Sequence, residues 1–465
     1  MPSICFTLLL LLFVFTEGGA VRAQPLPPLS PVAAQEGGAG VRWGRYVLHP
    51  GVMASLGYDT NYFRRSGDSI TLDGYETARE SPIVSAWRLR ITPALVLVNQ
   101  ASEAARSGVP PKLMFRATTY AAYDEVIAAA EYRGERTDQR RLDAGLEVLL
   151  DALPERVWGA DARGQYVRIS EPSGSEDVEL GWEREAAGLD LGASWRPLGG
   201  MLRWRLGYGF RYTWFRENFQ YLNNFEQAVE TRGSFRFLPR TVFFYEGRYA
   251  FLRYQYLDTD QNHGDSIHTR LGINTLFSSR VAVVAAAGWT ASFYQRVGNT
   301  EVHNWDGMTY TAEGRYFLNP TRPLQPGDTG QGMSSAAVGI TRSYQNSYLA
   351  DYARRTRGFA RVNLLVGQRM RLESGVGVAL LQRPEFEIRD EVVRPQDEYR
   401  IDATALAEYR LIQSVAVRGT ATYDASPSDV YFFVPAAAGD ATSRPFSDNL
   451  AYSRLQLWLG LRWFL

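Results

Sequence analysis

Several residue types are scarce in this 465-residue chain. It has one cysteine, Cys5, and four histidines, and Lys112 is its only lysine, so 49 of its 50 basic side chains are arginine. The 50 Lys and Arg residues match 50 Asp and Glu residues, which gives a formal net charge of zero. A neutral balance provides no broad field for a polyanion, so no nucleic acid is predicted as a partner.

The first segment predicts export. Residues 6–15 form an apolar run interrupted only by Thr7, and small residues up to Ala23 follow. This pattern indicates a secretory signal peptide over residues 1–23, although no basic residue precedes the run. A membrane anchor is the alternative, but the run is far shorter than the roughly 20 residues of a spanning helix. Because Cys5 lies in this segment, the exported chain contains no cysteine and no disulfide can stabilise it. Residues 24–45 are predicted to be a short periplasmic tail.

Long hydrophobic runs are also missing downstream. The longest uncharged stretch, residues 281–295, is diluted by Gly and Ala, so no membrane helix is predicted. Instead, apolar and polar residues alternate in blocks of about ten. In one block, apolar side chains at 202, 204, 206, 208, 210 and 212 alternate with Arg203, Arg205, Gly207 and Arg211. A strand points successive side chains to opposite faces, so each block has one apolar and one charged face.

Eighteen such blocks fill residues 46–465, and short turns alternate with long polar loops between them. Tilted strands of about ten residues with this alternation are typical of an outer-membrane barrel. We therefore predict an all-β fold: a transmembrane antiparallel up-and-down β-barrel of about 18 strands, with 16 as the alternative count. Both termini are predicted to be periplasmic, in the outer membrane of a Gram-negative bacterium. A soluble β-propeller or sandwich is the competing interpretation. The block centres are Val52, Leu89, Ala117, Leu146, Ala162, Leu191, Leu206, Gly233, Gly247, Leu271, Ala287, Ala312, Val338, Val362, Val376, Ala403, Val417 and Leu459.

The two faces of the predicted wall differ in chemistry. On the apolar face, Tyr and Trp residues near the block ends predict aromatic girdles at the membrane interfaces; they are Tyr58, Trp87, Tyr123, Trp195, Tyr212, Tyr249, Trp289, Tyr316, Tyr344, Tyr409, Tyr423 and Trp463. The polar face carries 18 arginines and 11 acids in the predicted blocks. The side chains predicted to line the lumen are Arg88, Arg90, Arg116, Asp143, Glu147, Asp190, Arg203, Arg205, Arg211, Arg232, Glu246, Arg248, Arg270, Glu313, Arg315, Arg361, Arg371 and Arg400.

This charged face has two interpretations. Arginines and carboxylates pair across neighbouring strands and only stabilise the wall, or unpaired arginines favour anionic solutes and polymers. On β-strand spacing, Asp190 and Glu230 are the expected partners of the arginines at 203, 205 and 211.

Chemistry-bearing motifs are sparse. Of the histidines at 49, 263, 268 and 303, only His268 has a nearby nucleophile on the same face, Ser266, and no carboxylate partner can be assigned to it. The segment 258–262 resembles the start of a calcium loop, but His263 and Thr269 stand where Gly and Glu are needed. No phosphate loop or dinucleotide fingerprint occurs. The sequence predicts no enzyme, no catalytic residue, no metal site and no cofactor.

Two short segments carry a family resemblance. Tyr58-Asp59-Thr60-Asn61-Tyr62-Phe63 is followed by Ser81-Pro82 and by Trp87-Arg88-Leu89-Arg90-Ile91-Thr92-Pro93-Ala94-Leu95. Together with the downstream hairpins, this resembles the second outer-membrane β-barrel porin family and is similar to barrels associated with exopolysaccharide export systems.

The resemblance implies an outer-membrane exit for a secreted polysaccharide that works with a periplasmic polysaccharide export protein. The second interpretation of the charged face adds that the polysaccharide is anionic. Outer-membrane lipid and the barrel assembly machinery are further expected partners. The chain ends Trp463-Phe464-Leu465 where such barrels end in Phe or Trp, so a weaker assembly signal is expected. A general diffusion porin is the alternative function, and a structural or surface-adhesive barrel is a third.

Overall fold

The structure is a computed structural model. It describes residues 40–62, 64, 83–99, 112–127, 140–154, 156–170, 183–215, 220, 222–255, 262–295, 302–318, 320, 324, 326, 333–347, 351–367, 369–384, 386–388, 391–393, 397–428, 431–434, 446–449 and 451–465. The predicted signal peptide, most of the predicted tail and residues 258–261 of the calcium-like segment lie outside these residues.

Almost every described residue belongs to a β-strand. The strands are β1 (Val41–Trp43), β2 (Tyr46–Asp59), β3 (Ala86–Asn99), β4 (Leu113–Ile127), β5 (Arg141–Ala152), β6 (Trp158–Ile169), β7 (Arg184–Trp195), β8 (Leu202–Phe215), β9 (Asn224–Leu238), β10 (Thr241–Tyr254), β11 (His263–Leu276), β12 (Val281–Gln295), β13 (Trp305–Phe317), β14 (Ser335–Asn346), β15 (Tyr352–Val366), β16 (Met370–Gln382), β17 (Phe386–Ile388), β18 (Glu391–Val393), β19 (Asp397–Ile412), β20 (Val415–Ser426), β21 (Tyr431–Val434), β22 (Phe446–Asn449) and β23 (Tyr452–Phe464). One 3-10 turn, Leu198–Gly200, precedes β8.

Eighteen of these strands form a closed antiparallel barrel. Each of β2–β16, β19, β20 and β23 pairs with its neighbours in chain order, and β23 closes the ring on β2 through Gly51↔Phe464 to Asp59↔Gln456. Every predicted block centre lies in a different barrel strand, so the predicted fold class and the count of 18 are confirmed. Closure pairs the backbone groups that an open edge would leave unpaired in hydrocarbon, at a cost of several kcal/mol each.

The outer surface of the barrel is apolar. Leu206, Val338 and Leu459 are 57%, 65% and 64% exposed, whereas Arg88 and Arg454 on the opposite face are 0% and 1% exposed. An apolar exterior around a charged interior is the arrangement of an outer-membrane barrel, which places the chain in the outer membrane of a Gram-negative bacterium. Among the described residues, no helix has the length and apolar character needed to cross a membrane.

Most short turns lie at one end of the barrel, which we call the turn end, and most long loops lie at the other, which we call the loop end. The long connections β3–β4 and β13–β14 at the turn end and the short connection β14–β15 at the loop end are exceptions. The described chain starts and finishes at the turn end. There β1 pairs with β2 through Val41↔Leu48 and Trp43↔Tyr46, along the edge that β23 leaves free below Gly51. Residues 41–43, which the sequence assigns to the tail, therefore extend the sheet and cover an unpaired edge.

The aromatic girdle prediction is wrong for one residue. Most of the predicted girdle side chains are exposed on the outer face, and Trp87, Trp289 and Tyr409 are examples. Tyr344, however, is only 1% exposed. The pairing of β13 with β14 stops at Tyr310↔Arg342, so the end of β14 that carries Tyr344 leaves the sheet surface next to β13. A period-2 pattern assumes an unbroken ladder and cannot reveal such a separation.

Candidate functional site

The inner wall of the barrel is the candidate site. The side chains that the sequence predicts to line the lumen all alternate, within their strands, with the exposed apolar residues of the outer face. The register also brings several of them together: Glu246 is opposite Arg270, and Arg248 is opposite Glu230. The strand ladder thus assembles one continuous charged surface from residues far apart in sequence.

Most of these side chains form ion pairs. The pairs with N–O distances of 2.5 to 3.2 Å include Arg163–Glu147, Arg205–Asp161, Arg232–Glu230, Arg315–Glu313, Arg400–Glu398 and Arg462–Glu408. Arg248 contacts Glu226 and Glu230, Arg270 contacts Glu246, and Arg371 contacts Glu373. Cross-strand and same-strand pairing therefore neutralises much of the wall, as the first interpretation of its charge predicts.

A buried cluster staples the barrel where its first and last strands meet. Asp59 on β2 accepts hydrogen bonds from Arg88 on β3 at 3.1 Å, from Arg454 on β23, and from Gln456 at 2.9 Å. Arg88 also donates to Asp124 on β4 at 2.5 Å. Arg88, Arg454 and Asp59 are at most 1% exposed. These contacts tie together four strands, including the two that close the ring.

The same cluster holds the residues of the family-like motif. Asn61 donates its side-chain amide to the Ser453 carbonyl at 3.2 Å, and the Tyr62 ring lies 5.2 Å from the Arg88 guanidinium. Arg90 donates to Asp124 at 2.6 Å and stacks over the inward-facing Trp458 ring at 4.7 Å. Sequence reasoning missed Asp124, because its role depends on the register of β4 against β3. In this structure the motif residues stabilise the junction of β2 and β23, which we call the seam.

The predicted partners of the β8 arginines are partly wrong. Arg205 donates through Nε to Asp161 Oδ1 at 2.9 Å, and Asp161 lies on β6, beyond the neighbouring β7. The guanidinium passes directly over Gly192, where a Cβ would lie 2.4 Å from it. Glu230 instead binds Arg232 and Arg248, and Asp190 forms no ion pair among the described residues. The long arginine side chain can form a bidentate contact with a carboxylate two strands away. The spacing of residues along one strand does not predict such a contact.

The turn end keeps an excess of positive charge. We define the basic mouth as the inward arginines within four residues of a turn-end strand terminus: Arg116, Arg203, Arg205, Arg236, Arg315, Arg371, Arg410, Arg418 and Arg462. Over the same zone the inward acids are fewer: Asp151, Asp161, Glu313, Glu373 and Glu408.

Three members of the basic mouth lack a bonded partner. Among the described residues, Arg203, Arg236 and Arg418 form no hydrogen bond or ion pair, and Arg410 contacts only the Phe464 ring, at 5.5 Å. Slightly deeper, Arg361 lies over the Phe359 ring at 4.7 Å. Carboxylates are nearby, since Arg418 is opposite Glu408 and Arg203 interacts with Asp151 and Asp161 electrostatically, and they offset part of the positive charge. Because these carboxylates do not bind the guanidinium groups directly, the groups are available to an anionic solute.

The remaining predicted lumen residues have local contacts. Arg116 donates to Thr118 at 3.4 Å, and Asp143 accepts the Ser170 backbone N–H at 2.7 Å. Arg211 lies on the inner face of β8, opposite Glu226 on β9.

Among the described residues, no carboxylate contacts His268, the histidine that the sequence places beside a nucleophile. His268 is 3% exposed and its Nδ1 lies 2.5 Å from Thr290 Oγ1, while Arg248 and Arg270 flank it on the inner wall. Two cations beside a histidine do not make a general base. Within the described ranges, no group of three or more His, Cys, Asp or Glu side chains could hold a metal ion.

An apolar cavity of about 910 Å³ lies elsewhere, on the outer face. Its floor is formed by small residues of β19 and β20, such as Ala405 and Gly419, and larger side chains such as Leu364 and Leu457 rise on either side. Because it faces hydrocarbon and not the lumen, it is separate from the charged wall.

No family model matches the chain, and none of the curated proteins does. Among solved structures, it is similar to the FrpB iron transporter from Neisseria meningitidis (F5-1 variant, apoprotein form), with 7% identity and a TM-score of 0.46 over 90% of this chain and 81% of that one. It is also similar to OccAB4 from Acinetobacter baumannii, with 9% identity and a TM-score of 0.42 over 90% and 98% of the two chains. The ferric enterobactin receptor PfeA from Pseudomonas aeruginosa matches with 9% identity and a TM-score of 0.42, over 90% and 80%. Likenesses this distant say nothing about cargo, and the architecture rests on the strand pairing described above.

Proposed function

We propose that this outer-membrane β-barrel conduit passes anionic solutes, and that the basic mouth is where they enter or leave. The observation that carries the proposal is the set of arginines at 203, 236 and 418, which have no bonded partner among the described residues. Pore selectivity depends on the charges that line the passage, and cation-lined pores favour anions. The rest of the wall is largely self-neutralised, so these few groups dominate the field at that end.

The finer proposal concerns the cargo. An acidic polysaccharide leaving the cell is the cargo class implied by the sequence resemblance, together with a periplasmic export protein as partner. The support in this chain is chemical: a ring of guanidinium groups binds successive carboxylates of a polymer in the bidentate geometry that arginine favours. The alternative is a diffusion porin for small anions, which the same mouth serves without a partner protein.

Ion selectivity in planar bilayers tests the coarser proposal. We expect a KCl gradient to give a reversal potential on the anion-selective side, and the triple change Arg203→Gln, Arg236→Gln and Arg418→Gln to move it toward cations. The matched control changes three exposed turn arginines at the same end, Arg156, Arg240 and Arg280, to Gln. A reversal potential that both triple variants shift equally, or that neither shifts, would contradict the proposal.

Polymer block separates the two cargo classes. An acidic polysaccharide such as alginate should interrupt single-channel current in the unaltered protein much more strongly than neutral dextran of the same size. The triple Gln variant should lose that difference. If chloride selectivity is present but alginate and dextran act alike, the small-anion porin is the better description.

A further inference from the structure

The loop-end part of β14 lies on the inner side of the barrel wall. If the β13–β14 ladder continued past Tyr310↔Arg342, Tyr344 would stand opposite Met308 on the outer face. Met308 is indeed 50% exposed there, but Tyr344 is buried. The pairing of β14 with β15 and of β15 with β16 continues to Asn346↔Tyr352 and Arg354↔Gln382. The two strands therefore lean away from β13 together, as a unit.

Aromatic contacts show the direction of this lean. The Tyr344 ring stacks on Trp305 with centroids 4.9 Å apart and planes at 11°. Both the Tyr344 and the Tyr294 hydroxyls donate to Asn346 Oδ1, at 2.9 and 3.1 Å. Trp305 and Tyr294 belong to the inner faces of β13 and β12, since they lie on the same side as Thr309 and Thr290. The outer face of β14 thus packs on the inner face of its neighbours.

A polar contact holds this position at the loop end. Asp351, just before β15, accepts a hydrogen bond from Asn262 Nδ2 at 2.9 Å through Oδ1. Its Oδ2 accepts the His303 backbone N–H at 2.7 Å. Asn262 precedes β11 and His303 precedes β13, so one carboxylate joins the leaning strands to the segments that lead into these two strands. We call these three residues the Asp351 latch.

We propose that the loop-end halves of β14 and β15 form a flap that narrows the passage at the loop end of the barrel. The Asp351 latch holds this flap closed. When the latch opens, β14 regains its register against β13, with Ser343 opposite Thr309 and Tyr344 opposite Met308, and the passage widens. Beyond Tyr310↔Arg342, β13 and β14 leave ladder positions that are not paired with each other. Pairing these positions gives the open state, because an open edge in a barrel gains backbone hydrogen bonds when it pairs. This inference rests on the proposed conduit function.

Single-channel recording with a reversible lock tests the flap. The only cysteine of the chain is Cys5, in the predicted signal peptide, so the pair Asn262→Cys and Asp351→Cys can be joined by a short thiol reagent without competing sites. Their side chains already touch in the closed state. We expect cross-linked channels to stay in the low-conductance state and to regain openings on release of the linker.

Removing the latch should have the opposite effect. Asp351→Ala loses two hydrogen bonds to a charged acceptor, so the ratio of open to closed time should rise on the order of tenfold or more. The matched control is Asp306→Ala, an exposed carboxylate on the neighbouring β13. Heat-modifiable gel migration verifies folding, and Asn262→Ala, which removes one of the two latch hydrogen bonds, is a milder substitute if the Asp351→Ala variant assembles poorly.

The outcomes separate the two proposals. Unchanged open time in both the alanine variant and the cross-linked protein, in channels that still conduct anions, overturns the flap and leaves the conduit intact. If neither the Asp351→Ala variant nor the cross-linked protein ever conducts, both the conduit and the flap are overturned. Long openings after Asp351→Ala that Asp306→Ala does not reproduce support the flap.

Discussion

The guanidinium of Arg205 crosses the whole of β7 to reach Asp161 on β6, with Nε 2.9 Å from Oδ1. Gly192 on β7 and Gly207 on β8 make room for it, since a Cβ on either would lie within 2.5 Å of the guanidinium. One side chain therefore links three strands of the inner wall, and we call this contact the Arg205 brace. The glycines beneath it leave the space that the contact needs.

Gly192→Ala should weaken this brace. The added methyl group displaces the guanidinium, and because the ion pair is partly exposed we expect a loss of about 1 kcal/mol or less in the free energy of unfolding. Urea unfolding in lipid or detergent measures it. Gly164→Ala is the control, because nothing lies within 4 Å of its Cβ position. Similar losses in both variants would show that the Arg205–Asp161 contact adds nothing to stability.

The assignment of the wall faces is tested on one strand. Leu206→Arg places a charge on the lipid face and should cost about 2–4 kcal/mol near the bilayer midplane. Leu206 is 57% exposed on the outer face, whereas its neighbour Arg205 points inward. Arg205→Ala should reduce folded yield much less. Equal yields of the two variants, read from heat-modifiable migration on gels, would mean that the faces are reversed.

The seam cluster should be the most sensitive polar group of the barrel. Asp59→Ala leaves Arg88 and Arg454 buried without their shared carboxylate, and breaking a buried pair in this way costs about 3–5 kcal/mol. We expect poor assembly and a lower unfolding temperature. Glu373→Ala is the control, since Glu373 pairs with Arg371 at a site where both side chains are 33% exposed. Unchanged assembly and unfolding temperature in Asp59→Ala would show that the cluster does not contribute to barrel closure.

The Asp351 latch should respond to pH. Burial raises the pKa of Asp351 above its ordinary value of 3.8, and the hydrogen bonds from Asn262 and His303 offset only part of this. In the released state the carboxyl is in water and its pKa returns toward 3.8, so the closed state binds the proton more readily. Closure therefore gains stability as the pH falls through the raised pKa and loses it above.

Other titratable groups face the same carboxylate. They are His303 with Nδ1 at 3.8 Å, His263 beside Asn262, and the hydroxyls of Tyr294, Tyr344 and Tyr352. His303→Gln removes the imidazole and keeps the backbone N–H that binds Asp351, so this variant isolates the contribution of the carboxyl. Open time should fall on acidification in the unaltered protein and stay constant in Asp351→Asn. A pH response that survives the asparagine change would assign it to another group.

The partners of inward side chains were harder to predict than the strands themselves. The motif residues Asp59, Asn61 and Arg88 carry the family resemblance in the sequence. In the structure Asp59 binds both Arg88 and Arg454 while Asn61 binds Ser453, and Arg454 and Ser453 come from the far end of the chain. The short hairpins β17–β18 and β21–β22 lie in segments that the sequence indicated only as long polar loops. The Asp59–Arg454 contact joins residues that are 395 positions apart, and strands of three or four residues are too short to show a period, so neither relation leaves a periodic trace.

The sequence alone determined the eighteen strands, their alternating faces and the charged interior, because the side-chain period of a strand is a local property that each segment carries by itself. Tertiary structure decided which arginines are neutralised, because a guanidinium can pass over a glycine to a carboxylate two strands away, as Arg205 does. It also decided that Tyr344 turns from the lipid face to Trp305, because one ladder opens there and the strands beyond it lean into the barrel.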